Sequence, residues 1–145
     1  MTHSLRLQFE SDQDGHGELF ADVEVGDFKG AGSAWFSSTE ILEFARSLKS
    51  TYPLLKESPV QLRGGVWGSE SPRLESIQVG LSFYPINGRG GVACRVRLAT
   101  SLSTEDRPES QSMLEAELMT SYEQLSGFAC ALEGLAAGLL GEATL

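Results

Sequence analysis

The sequence has few of the residues on which catalytic and metal sites are usually built. Its 145 residues include two histidines and two cysteines. His3 lies near the start and His16 in a predicted turn, and neither has a partner at metal-ligand or triad spacing. Cys94 and Cys130 are far apart and lack a Cys or His neighbour at zinc spacing, so we expect free thiols in a reducing compartment. The sequence therefore predicts no metal and no cofactor.

Long apolar runs are also missing. The longest apolar-rich stretch, Leu135 to Leu140, is far shorter than the roughly 20 residues that span a bilayer. The first six residues lack the basic run and apolar core of a secretory signal. We therefore expect a soluble, cytoplasmic protein that does not enter a membrane.

Positive charge is scarce, with 11 Lys and Arg against 20 Asp and Glu and a net charge of −9. Such a balance repels phosphate backbones, which argues against nucleic-acid binding. It would speed the encounter with a basic protein partner. The hydrophobic fraction of 41% is ordinary for a globular chain, and the length suits one domain over residues 1–145.

Alternating apolar and polar residues predict β-strands along much of the chain. A polar, glycine-rich turn over residues 11–17 joins the first two strands into a hairpin. Asn87-Gly88 is a strong hairpin signal between two later strands. The predicted core-facing residues of those two strands alternate along each: Ile77, Val79, Leu81 and Phe83, then Val92, Cys94, Val96 and Leu98.

The third predicted strand, from Phe28 to Phe36, carries small residues on one face. Gly30, Gly32 and Ala34 share the parity of both phenylalanines. Glycine weakens a strand unless another group must approach its backbone closely. We favour close packing of a large side chain or a helix onto this strand, and a backbone surface for a ligand is the alternative.

The first helix begins with a capping box, because Ser37 is followed three residues later by Glu40. It ends before Tyr52-Pro53, since the residue before proline avoids the helical region. The side chains predicted to face the core from this helix are Ile41, Phe44, Ala45 and Leu48.

Residues 113–121 suit either a strand or a helix, and we choose a strand because Thr120 and Glu123 offer a new capping box. A second helix is then predicted from about Ser121 to Leu139. Glycines weaken its C-terminal end, and the last four residues are expected to fray. The predicted apolar face consists of Tyr122, Leu125, Phe128, Ala129, Leu132, Leu135 and Ala136.

Together these elements predict an α+β fold. Consecutive hairpins favour one antiparallel β-sheet of about six to seven strands in a meander. The two amphipathic helices are expected to pack on one face of this sheet, because each has a single apolar stripe to bury.

The predicted polar face of the sheet brings arginine and tryptophan together. Arg63, Trp67, Arg95 and Arg97 lie on the polar parity of the central strands, and Trp35 lies on the matching parity of its own strand. Both residue types are enriched at interface hot spots, and arginine binds carboxylates in a bidentate manner. These five residues are the candidate binding site.

A structural interpretation of the same arginines stays open. In an acidic protein they can pair with carboxylates on neighbouring strands, such as Glu10, Glu75 or Glu115. A turn cluster of Asp12, Asp14 and Glu18 lacks the glycine and glutamate positions of a calcium loop, so solvated turn acids are expected there.

One segment carries a family resemblance. It runs from Gly30 through Trp35-Phe36 and the Ser37–Glu40 cap to Leu48. It resembles small uncharacterised bacterial α+β proteins, some of which are immunity proteins encoded beside polymorphic or contact-dependent toxins, such as the wall-associated toxin immunity type. The Phe83-Tyr84-Pro85-Ile86 segment is compatible with that pattern. The resemblance brings no catalytic motif, and it implies stoichiometric binding of a protein.

Three functions follow as hypotheses. The first is a non-enzymatic binding protein, of the immunity type, that inhibits a partner toxin. The second is a small-molecule domain that binds carboxylates on the face with Arg63, Arg95 and Arg97. The third is an enzyme whose site is assembled from scattered carboxylates, which would require convergent acids with shifted pKa values in a pocket.

Overall fold

The computed structural model describes residues 3–12, 14–67, 74–102 and 105–145, without the side chains of residues 66, 67, 74 and 75. The described part contains eight strands and two α-helices, with a short 3₁₀ turn before β7. Their bounds are β1 His3–Ser11, β2 His16–Val25, β3 Phe28–Ser37, α1 Ser38–Ser50, β4 Val60–Trp67, β5 Leu74–Pro85, β6 Gly91–Ala99, β7 Met113–Ser121, α2 Tyr122–Ala136 and β8 Ala143–Thr144.

The strands form two antiparallel sheets. Sheet I has the order β3-β2-β1-β8 and sheet II the order β4-β5-β6-β7. The predicted α+β class, with an antiparallel sheet and two helices, is confirmed. The strand count differs slightly from the prediction, because the described chain has eight strands divided between two sheets.

Strand β3 of sheet I packs closely onto sheet II. A Cβ at Gly30 would lie 2.9 Å from the Leu114 side chain of β7, and one at Gly32 would lie 3.3 Å from Leu98 of β6. Near the other end of β3, Phe36 lies against the backbone of β4. The glycines thus let β3 cross sheet II at short range, as the packing interpretation predicted.

Sheet II contains the predicted β5–β6 hairpin. The side chain of Asn87 accepts hydrogen bonds from the backbone N–H groups of Arg89, at 2.8 Å, and Gly91, at 3.1 Å. This local bonding fixes the turn and therefore the strand register. The strand over residues 113–121 is also confirmed, as β7 paired with β6.

One predicted core residue of β5 is wrong. The register places Gly64 opposite Val79 but Gly65 opposite Ile77, so one extra residue bulges from β5. A bulge reverses the side-chain parity of the residues beyond it. Ile77 is therefore half-buried on the same side as Gly80, where its Cγ2 atom would lie 3.1 Å from an added Cβ.

Both helices begin at side-chain caps, and the first cap is at the predicted residue. The Ser37 hydroxyl accepts the Glu40 N–H at 3.0 Å, and the Glu40 carboxylate accepts the Ser37 N–H at 3.0 Å. The hydroxyl of Ser121 accepts the Gln124 N–H at 3.2 Å, so the second cap lies one residue beyond the predicted Thr120. These bonds satisfy donors that every helix start leaves free.

The inner faces of both sheets and the buried faces of both helices share one core. Phe83 of β5 lies between the helices, with ring centroids 6.0 Å from Phe44 of α1 and 6.0 Å from Phe128 of α2. Fully buried aromatic rings of this kind contribute much of the apolar area that stabilises a domain of this size. The predicted apolar stripe of each helix lies in this core.

The predicted fraying of the last four residues is wrong. Gly138 adopts a positive φ of 76° beyond the end of α2, and the N–H of Leu139 returns to the Gly134 carbonyl at 2.8 Å. The chain then reverses, and Ala143 pairs with Leu7 at the edge of β1. Glycine is a weak helix former, but at position 138 it permits the left-handed turn that makes β8 possible.

Candidate functional site

The structure places the five predicted site residues on two different sheets. Arg63, Arg95 and Arg97 lie on the outer face of sheet II, which faces away from the shared core. Trp35 lies on the outer face of sheet I, because β3 pairs with β2 rather than with the central strands. The predicted single Arg/Trp face is therefore wrong for Trp35. The side chain of Trp67 lies outside the described residues.

The arginine face is the outer surface of sheet II formed by Arg63, Arg95, Arg97, Glu115 and Glu117. The register runs across four strands from Arg63 to Gly80, then to Arg97 and Glu115. A second row places Arg95 opposite Glu117. Directly opposite side chains on one face are about 5 Å apart at Cβ, so each arginine of β6 has a carboxylate of β7 within reach.

Arg95 takes part in a local polar network. Its Nη1 atom lies 3.5 Å from Oε1 of Glu115, and the Tyr84 hydroxyl donates to the carboxylate of Glu117. The hydrogen bond with Tyr84, followed by the charges of the nearby carboxylates, raises the pKa of Arg95. Partial burial, then the bond to Glu117, raises the pKa of Tyr84. The pairing interpretation therefore holds for Arg95 and Glu115.

The other two arginines of this face are less engaged. The Nε atom of Arg97 is buried and has no hydrogen-bond acceptor among the described residues. Arg63 is exposed on the edge strand β4, at the rim of a cleft of about 800 Å³ between that strand and α1. An unsatisfied buried donor costs stability, so an acceptor at this atom would stabilise the fold.

The Trp35 face is the outer surface of sheet I formed by Glu10, Glu18, Phe20, Asp22 and Trp35. Trp35 is 62% exposed, although it lies within a regular strand. Phe20 is half-buried on the same surface, one residue pair away, because Glu18 pairs with Trp35 and Phe20 pairs with Ser33. Phe20 breaks the polar alternation of β2, and that break was the sequence signal for this surface.

Carboxylates surround the two aromatic rings. Glu10 and Glu18 stand directly opposite each other on β1 and β2, and Glu18 is in turn opposite Trp35. Oε2 of Glu18 accepts the hydroxyl of Ser33 at 2.6 Å. Like charges directly opposite on a sheet are destabilising. The row of Glu10, Glu18 and Trp35 thus concentrates negative charge beside an open indole ring.

The cations of the same surface are already paired. Arg6 lies 3.2 Å from Asp22, and Lys29 lies 3.8 Å from Glu24. Two open clefts adjoin the aromatic residues: one of about 480 Å³ beside Trp35, and one of about 320 Å³ beside Phe20. The surface is therefore uneven, acidic and partly apolar.

The two cysteines lie in different environments. Burial raises the pKa of the Cys94 thiol, so this cysteine is inert in the folded state. Cys130 is exposed beside the ion pair of Lys49 and Glu133, which joins the two helices. That bond raises the pKa of Lys49, with a smaller contribution from the neighbouring thiol of Cys130.

The side chains of Asp12 and His3 have local structural roles. The Asp12 carboxylate accepts the backbone N–H groups of Asp14 and His16, at 2.9 and 3.1 Å, and so closes the β1–β2 turn. His3 contacts the Met119 carbonyl at 3.0 Å. Across the described residues, no group of three or more His, Cys, Asp or Glu side chains is arranged to hold a metal ion.

Comparison of the chain with protein-family models, curated proteins and solved structures finds no match. Neither helix in the described ranges is long and apolar enough to cross a bilayer. The two outer sheet faces are therefore the candidate binding surfaces.

Proposed function

We propose that this protein is a non-enzymatic binding protein that recognises another protein through an outer sheet face, as the immunity-type resemblance implies. On this proposal the partner is a basic protein, such as a toxin that the complex inhibits. The net charge of −9 favours encounter with a partner of that charge.

The observation that carries the proposal is the exposure of large apolar side chains on the outer sheet faces. Trp35 is 62% exposed on sheet I, and Met113 and Met119 are 55% and 51% exposed on sheet II. Tryptophan and methionine are enriched at protein interfaces, and clustered exposed apolar groups mark contact surfaces. Both faces are built on paired antiparallel strands, which suits a rigid protein contact.

The experiment is purification of tagged protein from its native cell at low salt, with the product of the adjacent gene as the first candidate partner. The proposal expects a stoichiometric complex with a basic protein that binds the purified chain again when the two are mixed. If neither the adjacent product nor any other protein forms such a complex, the proposal is refuted.

A second candidate function is carboxylate binding on the arginine face. It is favoured by Arg97, whose Nε has no acceptor among the described residues and which shares a row with Arg63 across Gly80, where the Ile77 side chain covers the glycine. Arginines two strands apart are separated by about 10 Å, so a dicarboxylate could bridge them. Thermal-shift titration with succinate and citrate tests this function. Absent stabilisation, or equal stabilisation of wild type and Arg97→Ala, would exclude it.

A further inference from the structure

We propose that the Trp35 face binds a basic segment of the partner, with a guanidinium group stacked on Trp35 and held by Glu10 and Glu18. This inference rests on the proposed function, because it names the surface and the chemistry of the same protein contact. The occupant to which it commits is a protein segment that bears arginine.

Trp35 is exposed although it lies within a regular strand. A tryptophan that serves only to fill a core is buried, yet this one is exposed within a strand whose other face is packed on sheet II. Its ring is therefore exposed to solvent rather than packed in the core. Exposed indole rings on a rigid scaffold are the preferred faces for cation–π contacts with arginine and lysine.

Negative charge lies beside the Trp35 ring. The outer surface of sheet I carries four carboxylates on β1 and β2, and two cations. Both cations pair with their own carboxylates, Arg6 with Asp22 and Lys29 with Glu24. Glu10 and Glu18 are the two carboxylates of this surface that pair with neither cation. Both lie in the row of Trp35. Charge complementarity therefore selects a cation at this row.

The carboxylates of Glu10 and Glu18 carry like charges on neighbouring strands. Glu10 and Glu18 face each other directly in the register, which destabilises the free sheet. A guanidinium placed between them would donate hydrogen bonds to both carboxylates through its fork of N–H groups. Binding would then relieve the repulsion and add the stacking contact, whereas a carboxylate ligand would increase the repulsion.

The arginine face lacks this complementarity. It carries three arginines and two carboxylates, Glu115 and Glu117, and Arg95 already contacts Glu115. A basic segment would there meet Arg63 and Arg97 as like charges. The arginine face therefore supplies the matched control surface.

The experiment is a chemical-shift titration of the labelled protein with acetyl-Arg-Val-Arg-amide at low salt, with acetyl-Glu-Val-Glu-amide as the opposite-charge probe. The alternating sequence places both guanidinium groups on one side of an extended chain. We expect saturable shifts of the Trp35 indole N–H and of the backbone amides of Glu10 and Glu18. Addition of salt should weaken binding, since these charges are exposed to solvent.

Three variants separate the contributions. Trp35→Ser should weaken binding about two- to five-fold, the range of an exposed cation–π contact, and Glu18→Gln should weaken it to a similar degree. Arg46→Gln, at an exposed position of α1 away from both sheet faces, should leave binding unchanged. The inference is overturned if no saturable shift occurs at Trp35, if the acidic peptide binds there equally, or if the shifts concentrate on the arginine face.

Failure of the inference can be told apart from failure of the proposed function. A protein partner that binds wild type and Trp35→Ser equally, but loses affinity for Arg97→Gln, would overturn the inference and keep the function. A chain that binds arginine peptides at Trp35 but forms no complex with a protein would refute the function itself.

Discussion

The Phe36 ring lies directly on the backbone of Gly64. A methyl group added at Gly64 would be 2.4 Å from the ring Cζ atom and below 3 Å from two further ring atoms. Phe36 is a core residue of β3 in sheet I, and Gly64 belongs to β4 in sheet II. This contact joins the two sheets. It also holds β3, the strand that carries Trp35, against sheet II.

Gly64→Ala is expected to lower the free energy of unfolding by about 1–3 kcal/mol, the usual cost of overpacking a filled core. The ring cannot move away easily, because it is buried among the inner faces of both sheets. Chemical denaturation measures the loss. Gly88→Ala is the control, because an added Cβ there meets nothing within 4 Å. Equal stability of the two variants would refute the close contact.

Ala143→Asp should destabilise the fold by several kcal/mol, because it places a carboxylate among apolar groups. Ala143 of β8 is 1% exposed and pairs with Leu7 of β1. Thr144→Asp changes the adjacent, exposed position and should stay within about 0.5 kcal/mol of wild type. Thermal unfolding of the two variants side by side decides whether β8 belongs to the core. A stable Ala143→Asp protein would support the frayed terminus instead.

The two cysteines should differ in reactivity. Cys130 is exposed and should react with a thiol reagent in the native protein, whereas Cys94 is buried and the pKa of its thiol is raised by burial. One thiol should therefore react per folded chain and two after denaturation. The Cys130→Ser variant should show no rapid reaction in the native state. Rapid labelling of that variant would contradict the burial of Cys94.

Tyr84 should ionise above pH 10.0, the ordinary pKa of tyrosine, because burial and the hydrogen bond to Glu117 both raise its pKa. The contribution of the neutral Tyr84 side chain to the free energy of unfolding is therefore complete below pH 10.0. It is lost as the pH rises through the pKa of Tyr84 in the folded state. Ultraviolet titration of the folded protein measures this ionisation.

Two substitutions should move the pKa of Tyr84 in opposite directions. Glu117→Gln should lower it, because a negative neighbour is removed, and Arg95→Gln should raise it further, because a positive neighbour is removed. Tyr84→Phe identifies the late transition by deleting it. Shifts of the same sign in both variants would contradict the network on the arginine face.

Local signals in the sequence predicted local structure well. Asn87-Gly88 predicted the β5–β6 hairpin, and Ser37 with Glu40 predicted the capping box of α1, since each depends on neighbours a few residues away. The glycine face of β3 predicted close packing, and Leu114 and Leu98 lie against it. The sequence pattern showed that something must approach this strand, but not which sheet.

The non-local features could not be predicted in the same way. Whether β3 pairs with β2 alone or joins the central strands depends on contacts between distant segments, so Trp35 was assigned to the wrong face. The parity of Ile77 depends on a bulge opposite Gly64 and Gly65. The strand β8 depends on a turn at Gly138, whose helix propensity alone indicates fraying.

The central claim is that the Trp35 face contacts a basic protein partner. The most direct measurement introduces photoreactive benzoylphenylalanine at position 35 in the native cell, with the same group at exposed Arg46 of α1 as the control. We predict one discrete cross-linked protein at position 35, absent at position 46, that is basic and is competed by acetyl-Arg-Val-Arg-amide. No adduct at position 35, or the same adducts at both positions, would contradict the claim.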